Sequence, residues 1–338
     1  MSPRDPGFAA LIFLFTLGLA GPSSAAPRQK LYVTNSGGDD IHVIDVATNR
    51  VIQRIEAGPE PHGIATTAAQ DVIFVSIENM KGPAGELLWI DPVTDTITKR
   101  VPIGPRPNQL ACTPDGKIVY VPCDDGTWWV VDGVKGDVLT KVRTGGRPHN
   151  TLCAADGRRM YLAPMGDPHQ VTICDVATHA VLGGIPFSDV VRPVAMTRDE
   201  KRLYAEVDGL VGFEVADIPS RKTIRRVEAE VPAESRAVAS RSHGLGLSPD
   251  EKELWTCDVN RGRTYVFDAT ADPPRQIATI AMDGPVYWLC FSPEGKTCYV
   301  SERGTDQVAA IDTASKKIVA QVRVGRVPKR VLAVTASP

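Results

Sequence analysis

Seven copies of one strand pattern, a period of 41 to 51 residues, and turn-forming residues spread along the chain predict an all-β fold: a seven-bladed β-propeller with four antiparallel strands per blade. Each copy opens on an apolar–aromatic strand start: Leu31-Tyr32-Val33, Ile73-Phe74-Val75, Val119-Tyr120-Val121, Met160-Tyr161-Leu162, Leu203-Tyr204-Ala205, Leu254-Trp255-Thr256 and Cys298-Tyr299-Val300. Between the aromatic positions the spacings are 42, 46, 41, 43, 51 and 44 residues, too long for a β-solenoid. The 29 Gly and 27 Pro are dispersed, as many short strands joined by tight turns require.

In chain order, the first element is an apolar stretch from Phe8 to Ala20, preceded by Arg4 and followed by Gly21-Pro22-Ser23-Ser24-Ala25-Ala26. It is short for a membrane span and has small residues at its end, so residues 1–25 are expected to be a secretory signal peptide cut near Ala25 or Ala26. Residues 26–338 then form a single propeller domain. Within each copy, the strand after the aromatic one ends in an acid, at Asp45, Asp91, Asp132, Asp175, Glu214, Asp268 and Asp312. A short acid there can accept hydrogen bonds from backbone N–H groups two residues on and so start the next turn. The following strand alternates apolar and polar residues, as in Val51-Ile52-Gln53-Arg54-Ile55, the pattern of a half-exposed edge. A Gly-x-x-Pro break follows at Gly58-Pro59-Glu60-Pro61, Gly104-Pro105-Arg106-Pro107 and Gly145-Gly146-Arg147-Pro148, and then a short apolar inner strand. The chain starts on a second strand and ends on Arg330-Val331-Leu332-Ala333-Val334, a lone inner strand. The C-terminal strand is therefore expected to complete the first blade, which removes the open sheet edges that invite aggregation.

Composition narrows the function classes. Lys plus Arg total 38 against 40 Asp plus Glu, a net charge of −2 that gives no electrostatic case for nucleic acid. With 43% apolar and 23% charged residues the chain has the balance of a soluble globular protein, and no further stretch is long enough for a membrane span. Seven cysteines is an odd number, and none forms a Cys-x-x-Cys pair, so covalent haem, thioredoxin and zinc-ribbon signatures are absent. Cys290 and Cys298 flank a turn and could pair across a hairpin; buried free thiols are the alternative. A monomer is expected. Gly295-Lys296-Thr297 lacks the first glycine of a phosphate loop, and no nucleophile elbow, His-Glu-x-x-His or dinucleotide motif occurs.

Leu31-Tyr32-Val33-Thr34-Asn35, followed by an Ile-x-Val-Ile-Asp strand and by Pro61-His62-Gly63-Ile64-Ala65, resembles the YVTN repeat family of WD40-like β-propellers, over essentially all of the chain after the signal. The resemblance implies a secreted or periplasmic propeller. It implies no single activity, since related propellers resemble lactonases, propeller subunits of quinoprotein amine dehydrogenases and surface binding proteins.

Counting back four residues from the last apolar position of each inner strand yields a ring at the channel mouth: His62, Asn108, His149, Arg192, His243, Tyr287 and Arg330. Three of the six histidines fall at this one repeat position. Neutral imidazoles there could take a divalent metal or act as acid–base groups, with Asp258 and Glu302 at strand ends as further metal candidates. Asp39, Asp40, Asp124, Asp125 and His169 lie in loops of the same face. Pro-His-Gly can equally be a repeat turn. Arg192 and Arg330, with Arg106 and Arg147 before them, suit an anionic ligand. Trp288 beside Tyr287 could stack a ligand or fill the channel wall. The insertions Glu228–Arg241 and Glu78–Glu86 are placed on the same face. The function expected is a binding or scaffold protein with a small-molecule or protein partner on this face; the alternative is a lactonase-like hydrolase or lyase using the mouth histidines, with or without a metal.

Overall fold

The computed structural model describes Met1 and residues 27–337, so the predicted signal segment beyond Met1 lies outside the described residues. The chain closes into seven four-stranded antiparallel sheets. A single turn of 3-10 helix, Ala233–Ser235, is the only helix among the described residues, and none of them forms a helix long and apolar enough to cross a membrane. The innermost strands, from blade 2 to blade 7, are Pro61–Thr66, Ala111–Cys112, Arg147–Cys153, Val191–Met196, Ser242–Leu247 and Trp288–Phe291. Blade 1 takes its inner strand from the other end of the chain: Pro328–Ala336 pairs antiparallel with Arg28–Asn35, as the sequence predicts.

Strand composition follows position in the blade. The second strand is apolar on both faces and wholly buried, as at Ile73–Ile77, because neighbouring blades cover both sides. The outermost strand is covered on one side only and alternates strictly, as at Lys317–Arg323. Seven core clusters form, and each straddles one blade interface: Tyr32 and Ile41 with Ile64 and Ile73, Phe74 and Trp89 with Val119 and Val131, and so on to Tyr299 and Val308 with Leu31 and Val33. Adjacent residues of one strand therefore stabilise different interfaces. Tyrosines at the repeat origin add a polar tie to the next blade, Tyr120 to His179 Nδ1 (2.7 Å) and Tyr161 to Glu200 (2.5 Å).

The acid turn recurs in all seven blades, with one correction. Asp45 accepts from the Thr48 amide (2.8 Å), Asp175 from Thr178 (2.8 Å) and Asp312 from Ser315 (2.7 Å). In blade 5 this role belongs to Asp217, which accepts from Ser220 (2.9 Å), and not to Glu214. The register decides: Asp217 pairs with Arg202, two residues before Tyr204, as Asp45 pairs with Lys30 before Tyr32. Glu214 is buried three residues earlier and holds Ser188 and Arg226. The hairpin disulfide is also excluded. Cys290 lies opposite Tyr299 and Cys298 opposite Phe291, so the two thiols face different blade interfaces, and all seven cysteines are free.

Ring closure is expected to be indispensable. Removing residues 328–338 leaves Arg28–Asn35 as an open edge and uncovers two interfaces, and should abolish the cooperative thermal unfolding seen by circular dichroism. A transition as sharp and as high as that of the full chain would contradict this.

Candidate functional site

At the mouth, four of the inner strands bend before they enter the sheet. Register shifts lie between Pro61 and Ile64, Pro148 and Asn150, Val191 and Val194, and Ser242 and Leu245, and such irregularities re-aim side chains. The residue that lines the mouth cavity is His62, Asn108, His149, Arg192, His243 and Tyr287 in blades 2 to 7. In blade 1 it is Lys329. Ala333 pairs with Leu31 as Thr66 pairs with Ile73, so Lys329 stands where His62 stands, and Arg330 is one residue further along.

That next position is crowded. A Cβ on Gly63 would come within 2.3 Å of the Asn108 carbonyl, and one on Gly244 within 2.6 Å of that of Tyr287, so Pro-His-Gly needs its glycine where adjacent blades almost touch. Hydroxyls from the second strands staple these junctions. Ser76 accepts from the Gly63 amide (2.8 Å) and donates to the Asn108 carbonyl (2.8 Å); Ser301 does the same between Trp288 (3.0 Å) and Lys329 (2.9 Å).

The mouth opens into a cavity of about 520 Å³. Five basic side chains line it, Arg147, Arg192, Arg241, Arg303 and Lys329, against two acids, Glu78 and Asp208. Both acids are engaged. Asp208 takes a two-pronged pair from Arg192 (2.6 Å each) and lies 3.5 Å from Arg241. Glu78 Oε2 meets His62 Nδ1 at 2.8 Å and Lys329 at 3.6 Å. Burial works to raise Glu78, but His62, Lys329 and Arg106 outweigh it and bring it down to about 2. His62 falls to about 4 because it is buried and faces Lys329; its Nε2 is buried and without a partner.

His149 and His243 come together from blades 4 and 6, with ring centroids 5.8 Å apart. Asn150 meets His149 Nδ1 at 2.6 Å, while His243 stacks on Tyr287 at 4.2 Å and leaves its own Nδ1 unpartnered. Burial, with Arg330 and Arg192 nearby, drives both well below the ordinary histidine value. The trio is therefore neutral at pH 7. Beneath it, Arg330 is fully buried, its guanidinium 3.4 Å from the centre of the Trp288 ring and 3.3 Å from Asn150 Oδ1 of blade 4.

Several expected members lie elsewhere. Asp258 is buried against Ser240, Arg261 (3.0 Å) and Tyr265 (3.3 Å), and Glu302 accepts from the Asp283 and Gly284 amides (3.0 and 3.2 Å). Each braces a loop and neither lines the cavity. Asp40 binds Asn35 and Arg54, Asp124 binds Arg106 and Arg147, Asp125 binds Trp129, and His169 sits against Asp167, while Asp39 lies beside Arg54; none lines the cavity. Trp288 is half-buried and carries Arg330 on its face. The longer insertion does reach the site. Ala239, Ser240 and Arg241 line it, held by Ser240 on Asp258 and by Arg261 on the Ser235 carbonyl (2.8 Å). Among the described residues no three His, Cys, Asp or Glu side chains gather as a metal site. His149 and His243 stand near the Arg330 and Arg192 guanidinium groups and His62 near Lys329, neighbours that disfavour a divalent cation.

The sequence matches the YNCE-like beta-propeller family over residues 9–338. The chain belongs to that family. The YVTN resemblance is consistent with it. This YNCE-like propeller shares its fold with a periplasmic gluconolactonase of Pseudomonas aeruginosa (18% identity, 93% of this chain and 100% of that one, TM-score 0.75). It is similar also to a protein from Lactobacillus plantarum (16%, 91% and 100%, TM-score 0.78) and to hydrazine synthase of Kuenenia stuttgartiensis (20%, 81% and 95%, TM-score 0.70). No curated protein matches it.

The neutral histidines set the acid limit of stability. Their values are depressed in the folded chain, so the unfolded chain takes protons first; the contribution is complete above pH 6.5 and is lost as pH falls below it, for His62 through about 4. Replacing His149 and His243 together by Asn should flatten the fall in urea-unfolding free energy as pH drops below 6.5, and an unchanged slope would contradict it.

Proposed function

We propose that this propeller works in the periplasm or outside the cell and binds a small organic anion in the mouth cavity. The observation that carries this reading is the charge of the cavity wall: five cations against two acids that are already engaged, around imidazoles that burial keeps neutral. In such a partly desolvated site an Arg or Lys pair with a carboxylate is worth about 1.5–3 kcal/mol, enough to select a carboxylate over its amide. The apolar stretch from Phe8 to Ala20 supports export. The scaffold role is a ligand-dependent partner surface on the same face.

Isothermal titration with a panel of hydroxy acids and sugar acids should find a binder whose affinity falls roughly tenfold or more in Lys329→Ala. A panel without a binder, or binding indifferent to Lys329 and Arg303, would count against the anion site.

One observation favours a second reading, hydrolysis of a cyclic ester. Glu78 orients His62, a lining residue of the cavity, through Nδ1 and leaves its buried Nε2 neutral and without a partner, the pairing of a general base held by a carboxylate. The Pseudomonas neighbour is named a gluconolactonase, which agrees with the choice of substrate class. Lactone hydrolysis followed by pH-stat titration should drop on the order of a hundredfold in His62→Ala and in Glu78→Gln. Turnover unchanged in both variants would remove this reading and leave binding intact.

A further inference from the structure

Below the mouth lies a buried charge with no ion-pair partner in the fold; the Glu206 and Glu78 carboxyl groups act on it only through space. Arg330 is fully buried, and its Nε and Nη1 have no partner; its contacts are the Trp288 face and one bond from Nη2 to Asn150. Leaving a guanidinium unpaired in an interior is costly, so its retention calls for an occupant. A second departure lies beside it. At the position two residues after the repeat aromatic, six blades carry Thr34, Ser76, Pro122, Ala163, Cys257 and Ser301, which are small. Blade 5 carries Glu206. Its own inner strand offers Pro193, which has no N–H to staple, and Glu206 reaches to blade 6 instead, accepting from the Gly244 amide (3.0 Å) and the Thr256 hydroxyl (2.6 Å).

We propose that Arg330 forms an inner site for one small monovalent anion and that Glu206 gates it by its charge. With Glu206 protonated, only Glu78 remains ionised near Arg330, and it is held by His62 and Lys329, so the anion completes the guanidinium. With Glu206 ionised, the carboxylate supplies the negative charge and the anion is released. Burial pushes Glu206 up to about 8, against hydrogen bonds from Thr256 and Gly244 and the charges of Arg330 and Arg192. The Cys257 thiol also faces it and is pushed well above its ordinary value by burial, while His243, next to Gly244, is neutral; neither supplies charge at pH 7. The inner site does not rest on the reading of the mouth cavity.

The test uses thermal unfolding of the full chain in halide-free buffer with sodium formate or sodium bromide as probe, at pH 7 and pH 9. At pH 7 the melting temperature should rise saturably, with a half-saturation concentration several-fold lower than at pH 9. Glu206→Gln should keep the pH 7 behaviour at pH 9, and Arg330→Met should lose the response. A wild-type chain without a saturable response, or a pH effect that persists in Glu206→Gln, overturns the proposal. A response kept in Arg330→Met and lost in Lys329→Ala overturns it too, by placing the anion at the mouth, and leaves the mouth reading standing. Should Arg330→Met fail to fold, bromide-soaked crystals of the wild type decide: an anomalous peak within hydrogen-bond reach of Arg330 Nε or Nη1 supports the site, and an empty map there overturns it.

Discussion

Seven inner strands meeting around one axis impose the constraint on which the rest of this molecule depends. Closure by Pro328–Ala336 on Arg28–Asn35 leaves no free edge and fixes how near the strands stand. At the mouth they stand so near that Gly63 and Gly244 have no room for a Cβ, and hydroxyls bridge one blade to the next. Side chains of alternate blades then meet, as His149 and His243 do, which a wide channel would forbid. Closeness also removes water, and loss of water is what turns three histidines neutral and sends Glu206 upward while the basic groups keep their charge.

The resulting charge is mostly positive, with five basic side chains against two acids. A metal ion brought among His62, His149 and His243 would meet Arg330, Arg192 and Lys329 before it met a free carboxylate. An anion meets the reverse: cations at the rim, neutral imidazoles that cost little to approach, and a guanidinium at the floor. The same imidazoles that suggest a metal in sequence thus suit an anion in space, because burial and neighbouring charge, which the ring pattern does not encode, decide how a histidine behaves.

The period, the four strands per blade, the closing strand and six of seven ring positions were legible from spacing alone, because each rests on a local signal repeated seven times. Misreadings fell where the repeat is interrupted. The other inner strands end at a turn that anchors the count, whereas Pro328–Ala336 runs nine residues with no turn after it, and the count slipped from Lys329 to Arg330. Glu214 and Asp217 were exchanged because an acid appears at both positions and only the register separates them. Asp258 and Glu302 share the face but brace loops, and no spacing rule distinguishes a brace from a lining residue. Glu78 and Asp208 come to the site through loops folded back on the mouth. Glu206, by contrast, carried a readable signal, a long acid at a position that six sibling strands reserve for small residues.

The Glu78–His62 pair and the cationic rim need not be competing designs. An ester whose ring opens to a carboxylate acquires negative charge on its carbonyl oxygen as water attacks, and the cations that hold a finished carboxylate are placed to stabilise that developing charge. Under this logic product affinity and rate would rise together with each basic residue, and the cavity would release its product slowly. The His62 imidazole is kept neutral, oriented by an ionised carboxylate and without a partner at its buried Nε2. What separates binder from hydrolase is then where a carbonyl carbon comes to rest, beside the His62 ring or beyond its reach on the side of Arg192.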